Sequence, residues 1–123
     1  MTTPTTKPLF LFVFRNQLHK QPSPTPEEMQ RIFGSWMKWV ETLKAKGVYL
    51  SGNPLEETGK MLRGPNGKNV TDGPFAETKE IVGGYMVVSA DSLDQAAIIA
   101  KDCPGFTYGG TVEIRPIDVI PGM

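Results

Sequence analysis

Leu9-Phe10-Leu11-Phe12-Val13-Phe14 is an unbroken run of six apolar residues, half of them aromatic, entered from Pro8 and left through Arg15-Asn16. It is too short to span a bilayer. A short continuous apolar run bounded in this way predicts a central strand with both faces covered. A covered strand needs other layers to cover it, so the flanking sequence must supply helices and further strands.

Residues 16–25 are polar and carry Pro22 and Pro24, which predicts a loop. Thr25 is then placed as a helix N-cap, with Pro26 at the first helical position and Glu28 three residues after the cap. That is a capping box with its preferred proline, and Glu27 and Glu28 suit the positive end of the helix dipole. Met29, Ile32, Phe33, Trp36, Met37, Val40 and Leu43 fall on one stripe at helical spacing, with Trp39 on its margin. Lys44 and Lys46 suit the far end and Gly47 a C′ position. The expected helix covers 26–46.

Val48-Tyr49-Leu50 reads as a short strand closed by Ser51-Gly52-Asn53-Pro54. Residues 60–63 and 68–71 read as hairpin arms around Gly64-Pro65-Asn66-Gly67, because Asn-Gly is the strongest short hairpin signal. Asp72-Gly73-Pro74-Phe75 is a second turn cluster, and 81–89 is another strand. Ser92 caps a second helix with Gln95 in the capping-box position. Leu93, Ala96, Ala97 and Ala100 form its expected inner face. Ile98 and Ile99 fall outside that stripe and point to a second surface. Pro104-Gly105 ends the helix. The last strand covers 111–117, with Val112, Ile114 and Pro116 alternating with Thr111, Glu113 and Arg115, so that one side is polar. Without the hairpin the order is βαββαβ. It predicts an α+β ferredoxin-like sandwich with an extra β-hairpin: an antiparallel sheet, two helices on one face, and the other face left over. One domain is expected over 9–117, between an extended or disordered tail over 1–8 and a second tail over 118–123.

Composition narrows the function classes. The 123 residues carry 13 basic and 13 acidic side chains and a formal net charge of zero. That balance argues against sequence-independent binding to duplex DNA and against attachment to an anionic membrane surface. The lone Cys103 cannot form an intramolecular disulfide, and the N-terminal residues hold no apolar run of signal-peptide length, so a cytoplasmic protein is expected. One histidine, His19, and one distant cysteine do not make a metal site. No GxGxxG, P-loop or nucleophile-elbow pattern occurs. Neither a metal nor an organic cofactor is therefore expected. The 13 glycines and 11 prolines, about a fifth of the chain, concentrate at the element boundaries just described.

The stretch Val70-Thr-Asp-Gly-Pro-Phe-Ala-Glu-Thr-Lys-Glu80 resembles the signature of the DGPF branch of the YCII-related proteins. The similarity extends to Pro26-Glu-Glu-Met29, Gly52, Gly83-Gly84-Tyr85 and Gly110-Thr-Val-Glu-Ile-Arg-Pro116, and covers roughly residues 9–117. The resemblance implies a dimeric α/β barrel, two ferredoxin-like units with their sheets face to face. It does not imply a settled activity. Some family members lie beside, or fused to, extracytoplasmic-function sigma factors. The wider group is thought to use a histidine and an aspartate as acid/base residues. Where that histidine is expected, early in the first helix, this chain has Trp36. The substitution removes the group best suited to proton transfer near neutral pH.

Several residues are candidates for a site. Asp72 is the leading one, either as an Asx-turn residue or as a pocket carboxylate acting as a base. Glu77 and Lys79 match the motif and suit a solvated charged face or the mouth of a cleft. Glu113 and Arg115 alternate along the last strand. They fit a cross-strand ion pair or, with Arg15 and the Tyr85 hydroxyl, a polar ligand-binding patch. Cys103 reads as structural. Two functions stand side by side. One is a protein binding a small polar or anionic molecule in a barrel cleft, with a cofactor-free lyase- or isomerase-like proton transfer as its catalytic form. In that form Asp72 is the base and Arg115 the anion holder. The other is a non-catalytic interaction module linked to transcription, such as a sigma-factor partner.

Overall fold

The fold is taken from a computed structural model that describes residues 7–17, 24–73 and 80–123. In chain order its elements are strand β1 (Leu9–Gln17), helix α1 (Pro26–Ala45), strands β2 (Tyr49–Pro54), β3 (Lys60–Arg63), β4 (Asn69–Asp72) and β5 (Glu80–Ser89), helix α2 (Leu93–Ala100) and strand β6 (Thr111–Pro116). Single 3₁₀ turns lie at Pro65–Gly67 and Pro104–Tyr108. The main sheet has the order β2-β5-β1-β6 with every neighbouring pair antiparallel, and β3 and β4 form a separate hairpin. Without the hairpin this is the ferredoxin-like arrangement expected from the order of elements, and the Leu9–Phe14 run is indeed a central strand.

Local chemistry accounts for the helix starts. The Thr25 hydroxyl accepts the Glu28 N–H at 3.2 Å, and the Thr25 N–H reaches the Glu28 carboxylate at 3.5 Å, closing the capping box. The Ser92 hydroxyl accepts the Gln95 N–H at 3.1 Å, while the Gln95 side chain takes the Asp91 N–H at 3.0 Å. In the hairpin, Asn66 (φ 59°) and Gly67 (φ 64°) both sit at positive φ, and the Lys68 N–H closes on the Pro65 carbonyl. Positive φ at both central residues is the requirement that Asn-Gly meets at low cost.

The core lies between the sheet and the two helices. Phe10, Phe12 and Phe14 of β1 pack with Met86 and Val88 of β5, Trp39 and Leu43 of α1, and Ala96 and Ala100 of α2. Phe14, Trp36 and Trp39 meet edge to face, with centroids 4.9–6.0 Å apart.

Four expectations are corrected here. Ser51-Gly52-Asn53-Pro54 does not close the second strand but continues it, since β2 runs Tyr49–Pro54 paired along β5. Trp39 is not marginal: it is buried, and the inward stripe runs through Trp36, Trp39, Val40 and Leu43. Met29, Phe33 and Met37, one helical turn apart, are exposed instead. A large indole on the flank of a broad apolar stripe outcompetes methionine for the sheet, and the helix rotates accordingly. In α2, Ile99 packs on the core and Leu93 is exposed, leaving Ile98 as the outward isoleucine. Finally, only one face of β1 is covered in the single chain. Leu11 and Val13 on its other face are half-buried.

Glycine permits a close approach at one strand pair. A Cβ on Gly52 of β2 would stand 2.9 Å from the Tyr85 carbonyl oxygen of β5. The sheet edge can close there only without a side chain.

Candidate functional site

The face of the sheet away from the helices carries most of the sequence-derived candidates. Strand register aligns its residues in rows: Asn53, Tyr85, Val13 and Glu113 in one, Ser51, Val87, Leu11 and Arg115 in the next. Each row has apolar residues on the two central strands, β5 and β1, or an amphipathic tyrosine. Each is bounded by polar residues on the edge strands β2 and β6. Leu11, Val13, Tyr85 and Val87 are half-buried.

Arg15 lies opposite Thr111 and therefore diagonal to Glu113. Its Nε and Nη2 approach Glu113 Oε1 at 3.3 and 3.0 Å, while Arg115 Nη1 stands 3.5 Å from Glu113 Oε2. One carboxylate thus faces two guanidiniums. Hydrogen bonding from Arg15 is the largest effect on Glu113. With the charges of both arginines it outweighs partial desolvation and holds the carboxyl below its ordinary range. An ionised carboxylate has no proton to donate, and with its two arginines the cluster carries one net positive charge. Arg115 has the freer fork, with 69% of its side chain exposed and, among the described residues, a single long contact.

Asp72 sits elsewhere. It ends β4 opposite Lys60, whose ammonium donates to its carboxylate at 2.6 Å, and its side chain is 75% exposed. Asp72 thus forms a cross-strand ion pair at the base of the hairpin. Sequence reasoning passed over Lys60: a two-residue Asn-Gly loop would set it against Gly73, whereas the register observed sets it against Asp72. Glu77, Lys79 and His19 lie outside the described residues.

Cys103 is buried, with its Sγ accepting the Gly105 N–H at 3.4 Å; burial pushes its thiol up to about 11 despite that bond. It is a structural thiol, not a nucleophile. An open recess of about 390 Å³ between α1 and the turn before β6 is lined by Glu28, Arg31, Ser35 and Tyr108, which the sequence did not single out. Their spacing on α1, at three and four residues, would have placed the first three on one face. Among the described residues no group of three or more His, Cys, Asp or Glu side chains could hold a metal ion, and no helix is long and apolar enough to cross a membrane.

Residues 10–120 match the YCII-related domain. The chain belongs to the YCII-related family. This YCII-related chain is 43% identical over 49 residues to an uncharacterized protein of Rhizobium meliloti (strain 1021), a match spanning 39% of this chain and 40% of that protein's length. A solved structure, 5-chloro-2-hydroxyhydroquinone dehydrochlorinase from Burkholderia phenoliruptrix AC1100 in complex with 2,5-dihydroxybenzoquinone, superposes with a TM-score of 0.48 at 18% identity. The superposition covers 89% of this chain and 93% of the other.

Proposed function

We propose that this YCII-related chain binds a small anionic molecule on the helix-free face of its sheet, and that a second copy of the chain covers that face to form a dimeric α/β barrel. The observation that carries the proposal is the Arg15–Glu113–Arg115 cluster beside the half-buried strip of Leu11, Val13 and Val87. An apolar centre with polar margins is the pattern of a two-fold interface. A guanidinium fork is the side chain best shaped for a carboxylate or phosphate. Tyr85, in the same row as Glu113, would add a hydroxyl to the ligand's shell. A buried thiol with no use for a disulfide suits a reducing compartment, and we assign the protein to the cytoplasm.

A catalytic form of this reading has one observation in its favour. The Asp72 carboxylate is three-quarters exposed, so it is open to a ligand as well as to Lys60. In that form Asp72 takes a proton from the bound substrate, without a cofactor. Glu77 and Lys79 would stand at the mouth of the cleft.

Native mass spectrometry of the purified protein tests the binding reading. The expected spectrum is a dimer carrying small anionic molecules that are lost in Arg115→Gln. A monomer at micromolar concentration by light scattering would overturn the barrel. A dimer whose bound molecules survive Arg115→Gln would overturn the ligand site. Asp72→Asn separates the catalytic form: it should leave ligand occupancy in place while turnover of the identified ligand disappears.

A further inference from the structure

We infer that an anion strengthens the dimer, acting at Arg115. The inference rests on the two-fold pairing proposed above. Among the described side chains of the open face, two guanidiniums share one carboxylate, and Glu113 is already taken up by Arg15 through two donors on Oε1. Among the described residues Arg115 keeps only a 3.5 Å contact from Nη1, and its side chain is 69% exposed. A guanidinium has five N–H donors, so nearly all of those on Arg115 are satisfied by solvent. Pairing the sheet faces removes that solvent. A cation that is desolvated without an acceptor opposes association, and a carboxylate or phosphate bound in its fork removes the opposition. Whatever binds the dimer better than the monomer shifts the equilibrium towards the dimer, and reciprocally the dimer binds that anion more tightly.

The position of Arg115 makes the coupling direct. It shares a row with Leu11 and Val87 in the apolar strip, so the surface that associates and the group that wants an anion are the same surface. The chemistry named is a compact anion with at least two adjacent oxygens, and the dimer gains affinity for it that a single chain lacks.

Sedimentation velocity over a concentration series tests this, in chloride, in inorganic phosphate and in malonate at matched ionic strength. The expected result is a dimer dissociation constant lower by about tenfold or more in phosphate or malonate than in chloride. Arg115→Gln should abolish that difference. Lys68→Gln, which removes an exposed cation on the hairpin, should preserve it. Phosphate and malonate acting alike would identify the shared oxyanion geometry, and one acting alone would identify its class. A dimer of equal strength in all three salts would overturn the coupling while leaving the barrel intact. The same tightening in Arg115→Gln would overturn the assignment to Arg115. A monomer in every salt would overturn the barrel and this inference together.

Discussion

Arg15 and Glu113 join the two strands β1 and β6 through a double contact, Nε and Nη2 of the guanidinium on one carboxylate oxygen at 3.3 and 3.0 Å. The pair is diagonal across the ladder, so it depends on the register that sets Val13 against Glu113. A slip of one residue would turn Glu113 to the helix side and break it. The contact is therefore a lock on the register, and in the proposed function it also anchors the anion site.

Glu113→Gln tests the electrostatic half of this. The native carboxyl is held below its ordinary range, so its stabilising contribution is present above the unfolded value, about 4.3, and is lost as pH falls through the lower folded value. Thermal melts of the two proteins should differ most at pH 7, with wild type the more stable, and converge once the pH has fallen below the lowered carboxyl range. A constant gap across that range would place the effect in packing rather than charge.

Phe12 is fully buried at the centre of the core. Phe12→Ala should destabilise the fold by about 3–5 kcal/mol, the usual cost of emptying such a site. Urea unfolding measures it, as a lower midpoint with an unchanged slope.

Gly52→Ala should cost about 1–3 kcal/mol despite adding a single methyl. The new Cβ would meet the Tyr85 carbonyl oxygen at 2.9 Å and the Met86 Cα at 3.2 Å, both backbone atoms in a central strand. Because Tyr85 would be displaced, ligand occupancy should fall along with the melting temperature. A neutral melting temperature would show that β2 can move away freely.

Cys103 should resist thiol reagents in the native state. Its thiol is buried and pushed up to about 11, so little thiolate exists at pH 8. Labelling followed by absorbance should be slow in buffer and run to one thiol per chain in denaturant. Rapid native labelling would mean that the second helix opens readily.

Much of the fold was legible because it is written in local chemistry. Thr25-Pro26 with Glu28, and Ser92 with Gln95, specify where helices start, since those side chains bond the nearest free N–H groups. Asn66-Gly67 specifies a turn because both positions need positive φ. The aromatic run at Leu9–Phe14 can satisfy its surface only in the middle of a sheet. These signals act over three or four residues and need no knowledge of the rest of the chain.

Other features arose only when distant segments met. Trp39 against Met29, Phe33 and Met37 was a contest between two flanks of one helical stripe, decided by which side chains the sheet surface accommodates. Alternation along residues 111–117 placed Glu113 and Arg115 on one face, but the pairing of Glu113 with Arg15, 98 positions away, required the β1–β6 register. Asp72 was marked by its neighbours in sequence, yet its partner Lys60 belongs to the opposite arm of the hairpin. By itself the sequence determined the elements, their order and the starts of the two helices, because those depend on backbone hydrogen bonds satisfied nearby; the length of β2, which runs on through Ser51–Pro54, it did not. Only the tertiary structure decided which charges share a site, because charge pairing depends on distances across strands that no local spacing contains.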